Sequence, residues 1–413
     1  MAYSESGSSR RATGRSGSVR LAASIAVVLC AATPAQAFYN DRFELFFTEI
    51  ATWDSNVFRL TPDADNQASL GTSSRSDRVL THGVGVSADL PVSLQRFQAS
   101  YQRFWTRYNR FDHLDFDGDI LSAAWLWAVT DVFTGDIGYT DVSGLASFAA
   151  FGGTTQDVIH TRQAYATANW KLTPRWLAYG GVNATERKHD DPARRIHDIE
   201  AVSLETRLSY VTPKENRIGA SIRYEDGGAP DTRLVAGIPF DNAYRQWAVG
   251  VVGRWDITAH SRLDGRADYV RREYDQFADD RDYSGPAWGV TYTWTPTPKF
   301  SMASTVRRDI APLDDVQTSF VLATGVGIRP RWQMTEKFAL VGSADYIRWK
   351  YRGDPVIGGG FEHRVRAASV GFAWNPYTRV VITGSLQREE RTSDLANADY
   401  RVNIGTLEAR IGF

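Results

Sequence analysis

From Phe43 to Phe413 the chain alternates apolar and polar residues in runs of roughly 8–12, the period-two signature of strands with two unlike faces. No helical period interrupts them. In Gln163–Leu172, Ala164, Ala166, Ala168, Trp170 and Leu172 share one face, while Gln163, Tyr165, Thr167, Asn169 and Lys171 share the other. In Gln246–Ile257, Trp247, Val249, Val251, Trp255 and Ile257 oppose Gln246, Ala248, Arg254 and Asp256. In Arg262–Val270, Leu263, Ala267 and Tyr269 oppose Asp264, Arg266 and Asp268, and in Leu407–Phe413 the set Leu407, Ala409, Ile411 and Phe413 opposes Glu408 and Arg410.

Two kinds of connection separate the runs. Short turns fall at Leu90–Leu94, Val129–Val132, Leu172–Arg175, Val211–Lys214, Ile257–His260, Thr295–Pro298, Met334–Lys337 and Asn375–Thr378. They recur every ~40 residues, as two strands, a turn and a loop require. Between them lie longer segments rich in Asp, Arg, Gly and Asn: Thr61–Ser76, Asp141–Gln156, Asp226–Asn242, Arg272–Tyr283 and Gly353–Glu362. Eight short turns join sixteen strands. A first strand, Phe43–Trp53, and a last, Tyr400–Phe413, make eighteen. The pattern predicts an all-β fold, a transmembrane antiparallel up-and-down β-barrel of about 18 strands, with 16 as the alternative count. Short turns on one rim and long loops on the other predict a periplasmic and an exterior side.

Aromatic placement supports a membrane setting. Trp127 with Phe133, Trp170 with Trp176, Trp255, Trp294 with Phe300, Trp332 with Phe338, and Trp374 with Tyr377 flank the short turns. Such a girdle suits headgroup depth, where an indole ring is apolar and its N–H stays wet. The terminal Phe413, with Ile411 and Leu407 on one face, resembles the signal read by barrel-insertion machinery. On the opposite parity lie Lys171, Glu205, Arg207, Arg223, Arg254, Asp264, Arg266, Asp268, Arg307, Asp345, Glu408 and Arg410, which are expected to line an aqueous lumen. Most of these charges are expected to pair across strands, and a few could form a selective constriction. Gly144–Thr155, with Leu145, Phe148 and Phe151, is unusually apolar for an exterior loop and is a candidate to fold inward; Pro355–Phe361 is a second flexible candidate.

Composition adds the compartment. Arg10, Arg11, Arg15 and Arg20, the apolar run Leu21–Ala32 and the small-x-small site Ala35-Gln36-Ala37 predict a cleaved secretory signal over 1–37 and one barrel domain over 38–413, placed in a Gram-negative outer membrane. Removing 1–37 takes away the single Cys, excludes disulfides, and moves the formal charge from −1 to −4 by losing four Arg and one Glu. Nothing points to nucleic acid. No His-Glu-x-x-His or Gly-x-Ser-x-Gly occurs and the seven His are scattered, so no enzyme chemistry, cofactor or metal is expected. Asp112, Asp115, Asp117 and Asp119 lack the Gly and distal Glu of a calcium loop and read as an exposed strand rim.

Thr52-Trp53-Asp54-Ser55-Asn56-Val57-Phe58-Arg59, followed by Arg75-Ser76-Asp77, resembles the opening of the β-barrel porins encoded in exopolysaccharide operons, the EpsL-like group. The likeness continues through Leu90-Pro91, Arg103 to Asp119, Ser147-Phe148 and Leu172-Thr173-Pro174, and later by pattern more than by letters. The resemblance implies a role in synthesis or export of an extracellular polysaccharide, with outer-membrane lipid, the polysaccharide and periplasmic polysaccharide-export proteins as partners. The other reading is a general or solute-selective diffusion porin, passing other polar solutes.

Overall fold

A computed structural model describes residues 42–235, 238–276, 281–311, 320–352 and 360–413. The expected signal segment, 1–37, and most of the Gly353–Glu362 loop lie outside them. Strands β1 (Phe43–Asp54), β2 (Asp77–Val92), β3 (Gln95–Tyr108), β4 (Phe116–Ala128), β5 (Phe133–Leu145) and β6 (Val158–Thr173) are followed by β7 (Trp176–His189), β8 (Ile199–Val211) and β9 (Arg217–Gly228). A small hairpin, β10 (Arg233–Val235) with β11 (Ile238–Phe240), interrupts the series. It continues with β12 (Tyr244–Thr258), β13 (Ser261–Tyr274), β14 (Tyr283–Thr297), β15 (Phe300–Ala311) and β16 (Phe320–Gln333). The last four are β17 (Phe338–Arg352), β18 (Glu362–Tyr377), β19 (Val380–Ser393) and β20 (Tyr400–Gly412).

Apart from the hairpin these strands form one 18-stranded sheet. Each strand pairs antiparallel with its sequence neighbour, β9 pairs with β12, and β1 pairs with β20. The β1–β20 ladder runs from Phe46↔Gly412 to Asp54↔Ile404 and closes the barrel. All eight predicted short turns join consecutive strands. The strands therefore alternate up and down around a ring with no free edge, which a lipid setting demands.

The outward face is apolar. Leu45, Val84, Val86, Ile137, Leu204, Ile222, Val249, Val251 and Leu386 are exposed there, without any solvent-facing function to explain them. Trp170, Trp176, Trp255, Trp294, Trp332 and Trp374 are outward and exposed near the short-turn rim, and the ladder puts Trp127, opposite Gly135, on the same face. Leu407, Ile411 and Phe413 also face outward. Within this band, among the described residues, a polar pair sits between β1 and β2. His82 Nδ1 lies 2.6 Å from Glu49 Oε2, directly opposite in the β1–β2 ladder, so each group carries its hydrogen-bond partner into the apolar surface.

The strands are 12–16 residues long, more than the roughly 9–11 that a tilted strand needs to cross a bilayer. The excess extends past the band on the long-loop side, where outward positions become charged: Arg103 with Asp119 at 2.6 Å, Arg162 with Asp141 and Glu186 at 3.1 Å each. Val249, between Trp247 and Trp255 on β12, lies inside the band. Val249→Arg is expected to lower stability by about 2–4 kcal/mol, read from urea unfolding in lipid vesicles, whereas an arginine at Thr392, beyond the band, should be near neutral.

The loops are more structured than strand periodicity foretold. Residues Asn66–Leu70 form a short helix, capped by the Asp65 carboxylate, which accepts from the Gln67 and Ala68 amides, and ended by Gly71 at φ 67°. Ser147 precedes a second turn of helix, Phe148–Phe151.

Candidate functional site: a lumen wet at one end and plugged at the other

Register puts all twelve predicted lumen charges on inward-facing positions. Glu205 faces Arg223 across β8–β9, Arg254 faces Asp264 across β12–β13, and Asp268 and Arg266 follow on the same side of β13. Arg307 lies opposite Gly289, Asp345 opposite Gly327, Glu408 opposite Ile50 and Arg410 opposite Thr48. Lys171 faces inward at the short-turn rim and donates to the Asp131 carbonyl. The twelve are not one site, because they spread around the whole wall.

The structure brings a subset together at mid-height. Glu205 accepts from Arg207 at 2.8 Å and from Arg266 at 3.2 Å. Arg266 also binds Asp268, and Arg223 lies 4.0 Å from the same carboxylate. Three arginines thus share two acids across β8, β9 and β13. Asp268 keeps only 3 % of its side chain exposed, and Arg266 and Arg223 supply the opposite charge beside it. Arg207 Nε, Arg223 Nε, Arg266 Nη2 and Asp268 Oδ1 are buried without a partner among the described residues, while the rest of each guanidinium stays partly open to the lumen and can meet an anionic or carbonyl-bearing solute. Below this cluster the Arg254–Asp264 pair, at 2.7 Å, is about a third exposed on each side.

Glycine and aromatic residues set the arginines at their height. Tyr179 leans over Gly181, where a Cβ would strike the phenol oxygen at 2.6 Å, and the Arg207 guanidinium stacks 4.6 Å above the same ring. Phe46 lies over Gly85 and carries Arg410 at 4.1 Å in the same way. Tyr165, a candidate for sugar stacking, is pressed against Gly138, so its ring lies along the wall. An inward aromatic facing a glycine on the same or next strand is the signal in the sequence for such supports.

Height decides wetness. Inward residues near the short turns, such as Arg96, Lys171, Arg217 and Arg262, are exposed. Inward residues towards the long loops, such as Thr106, Gln246, Val270, Arg272, Tyr274 and Glu389, are buried. What fills the exterior half is the loops. Phe58, 2 % exposed, meets Phe111 and Phe148 edge-to-face, each at 4.8 Å between ring centres. Leu114 is fully buried beside them, with Val57, Leu60, Leu70, Tyr108 and Leu145 around. The apolar segment Gly144–Thr155 indeed turns inward. Arg391, on the inward face of β19, donates to the Ala149 carbonyl, although β20 and β1 to β4 separate β19 from the root of that segment. The segment therefore crosses the mouth.

The residues that carried the family resemblance build this plug. Asp54 pairs with Arg59 at 2.9 Å, and Arg59 itself adopts φ 57°. Asn56, 2 % exposed, donates to the Leu60 and Arg401 carbonyls and accepts from the Leu60 amide, which closes the loop around Phe58. Arg75 reaches back to the Thr61 and Ala64 carbonyls. Asp77 accepts from the Arg110 and Phe111 amides and places Phe111 against Phe58. Asp117 and Asp119 pair instead with Arg107 and Arg103 on the outward rim.

A closed barrel with an apolar outer face and a charged lumen defines a transmembrane β-barrel of porin architecture. Residues 269–413 match the family described as "Putative beta-barrel porin 2". No curated protein matches the chain in sequence. Among solved structures, the Pseudomonas aeruginosa outer membrane protein OpdK is similar at 9 % identity and TM-score 0.49, covering 90 % of this chain and 99 % of its own. A BenF-like porin from Pseudomonas fluorescens Pf-5 is similar at 8 % identity and TM-score 0.49, with the same coverage. Acinetobacter baumannii OccAB3 is similar at 8 % and TM-score 0.48, again covering 90 % and 99 %.

Proposed function

We propose that the protein is a passive, solute-selective channel of the outer membrane that admits small polar molecules and prefers anions. The observation that carries this reading is the arginine cluster at mid-height. Arg207, Arg223 and Arg266 share Glu205 and Asp268, stay partly exposed to the lumen, and lie between an open short-turn half and a plugged mouth. Both signs on one wall set up a transverse field that orders dipolar solutes, and the excess of arginine favours carboxylate or phosphate groups. Side-chain packing, not a catalytic group, does this work, so the reading is a channel and not an enzyme. The test is the zero-current potential of the purified protein in a planar bilayer under a potassium chloride gradient. An anion-selective potential supports the reading; a cation-selective one refutes the assignment to the arginines.

Passage of exopolysaccharide is the narrower reading, supported by the likeness of Trp53 to Arg59 and Arg75 to Asp77 to the EpsL-like group. A free polymer cannot slide through a mouth closed by Phe58, Leu114 and Phe148 unless the plug moves. Export therefore requires displacement of the plug by a partner, such as a periplasmic polysaccharide-export protein. Deletion of the gene followed by assay of polysaccharide outside the cell and in the periplasm separates the readings: unchanged amounts on both sides remove the export role.

A further inference from the structure

Above the apolar band the outward rim is unevenly charged. On β3 to β8, Arg103, Arg107, Arg162 and Lys188 face Asp117, Asp119, Asp141, Glu186 and Glu200, and the ladders pair them closely: Arg103 with Asp119 at 2.6 Å, Arg107 with Asp117 at 2.9 Å, Arg162 with Asp141 at 3.1 Å. That side is self-neutralised. On β17 to β20 the outward positions carry Arg348, Lys350, Arg364, Arg366, Arg388 and Arg401 against only Glu362 and Glu390. Arg348 and Arg364 stand directly opposite each other in the ladder, a like-charge pairing that costs stability. Both lean on the Glu362 carboxylate, at 2.5 and 2.7 Å, with Asp394 close by. Glu390 is taken by Arg401 at 3.0 Å.

Arg366 stands opposite Glu390 in the β18–β19 ladder, but that carboxylate is turned to Arg401, and Arg388 has no ion-pair partner among the described residues. Both are exposed. The Arg366 guanidinium lies 6.0 Å from the Tyr346 ring. Arg388 lies opposite Ala368 and Asn403, one outward position above Leu386, which is 67 % exposed and belongs to the lipid-facing band. The two arginines therefore sit where the band ends, at the depth of lipid headgroups on the long-loop side. Cations clustered at a membrane surface in excess of the acids around them attract anionic lipid, at about 1 kcal/mol for each.

We propose that the outward face of β17 to β20 is a binding site for a phosphorylated lipid of the outer leaflet, with Arg366 and Arg388 holding the phosphate and Leu386, Val370 and Leu407 bearing the acyl chains. The site lies on the opposite surface of the wall from the lumen and does not depend on what the channel carries. Its occupant is membrane-borne and not a free anion, because the arginines continue directly into exposed apolar surface. Bound lipid would relieve the repulsion between Arg348 and Arg364 and lock this quarter of the barrel in its leaflet.

The test uses the full protein purified in detergent and titrated with bisphosphorylated lipid A, with the same lipid after enzymatic dephosphorylation, and with inorganic phosphate; complexes are counted by native mass spectrometry. Bisphosphorylated lipid A should bind, its dephosphorylated form should bind far less, and millimolar inorganic phosphate should not compete. R366Q/R388Q should weaken binding roughly 30-fold, while R103Q/R162Q on the opposite rim should leave it unchanged. Gel mobility before and after heating reports folding of each variant. If the double variant fails to fold, R388Q alone should still lose about fivefold. Equal binding of the dephosphorylated lipid, or wild-type binding by R366Q/R388Q, overturns the site. Competition by inorganic phosphate overturns the lipid as its source.

Discussion

Phe58→Ala is expected to open the mouth of the channel. Phe58 is the centre of the plug, held edge-to-face between Phe111 and Phe148 and almost without exposure. Removing a buried phenyl ring from such a cluster costs about 3–5 kcal/mol, through lost contact and the cavity left behind. The barrel ladder does not depend on that ring, because each strand is bonded to two neighbours around a closed ring. The loss therefore falls on the loops, whose few long-range tethers are hydrogen bonds such as Arg391 to the Ala149 carbonyl and Gln156 to the Asp115 carbonyl at 2.6 Å. Single-channel current through the variant should rise several-fold and become noisier, while the heat-modified gel shift of the barrel stays unchanged. Unchanged current with a folded barrel would mean that solutes bypass the plug.

Substitution within the mid-height cluster is expected to move ion selectivity in opposite directions. Glu205 holds Arg207 and Arg266, so Glu205→Gln releases Arg207, leaves Arg266 with Asp268 alone, and should deepen anion preference. Arg266→Gln does the reverse. It removes the cation that binds both Glu205 and Asp268, and leaves Asp268, 3 % exposed, with Arg223 at 4.0 Å as its remaining partner. Breaking a buried ion pair from one side costs about 3–5 kcal/mol. The variant should be less stable by that order and should lose or invert its anion preference. Zero-current potentials for the two variants, measured in the same salt gradient, check both signs at once. Shifts of the same sign would show that the cluster does not set the field in the lumen.

Much of the barrel was legible because alternation reports two solvents. Asp264, Arg266 and Asp268 on one parity and Leu263, Ala267 and Tyr269 on the other leave a single register for β13, since a one-residue slip would put three charges into lipid. Eight short turns then fixed eighteen strands, and the closing β1–β20 ladder bears this out. The predicted ends of the terminal strands differ by one residue from those observed, Asp54 for Trp53 and Gly412 for Phe413. Periodicity could not say where the membrane stops along a strand. Arg103, Asp119, Arg162 and Glu186 occupy lipid-side parity, and only the strand lengths show that they stand above the band. In the same way the reading of Arg272 as loop fails, because β13 runs on to Tyr274.

The plug was legible in part. Gly144–Thr155 betrayed itself by being apolar in an exterior loop. Phe58, Phe111 and Leu114 did not, because they meet from three separate loops and no local pattern reports a contact between distant segments. The segment from Trp53 to Arg59 was recognisable as letters before its physical use was visible: Asp54, Asn56 and Arg59 form the bonded frame that presents Phe58. The mid-height cluster sits in between. Parity put Glu205, Arg207, Arg223, Arg266 and Asp268 on the inner wall, but stagger between neighbouring strands decides which of them touch.

The central claim is that water and small polar solutes pass through this barrel, and the most direct measurement is the current through single molecules of the full protein in a planar lipid bilayer. Discrete conductance steps, selective for anions and enlarged by Phe58→Ala, are the expected result. A folded barrel that gives no steps, either as the wild type or as Phe58→Ala, would contradict the account and leave a closed wall with no channel through it.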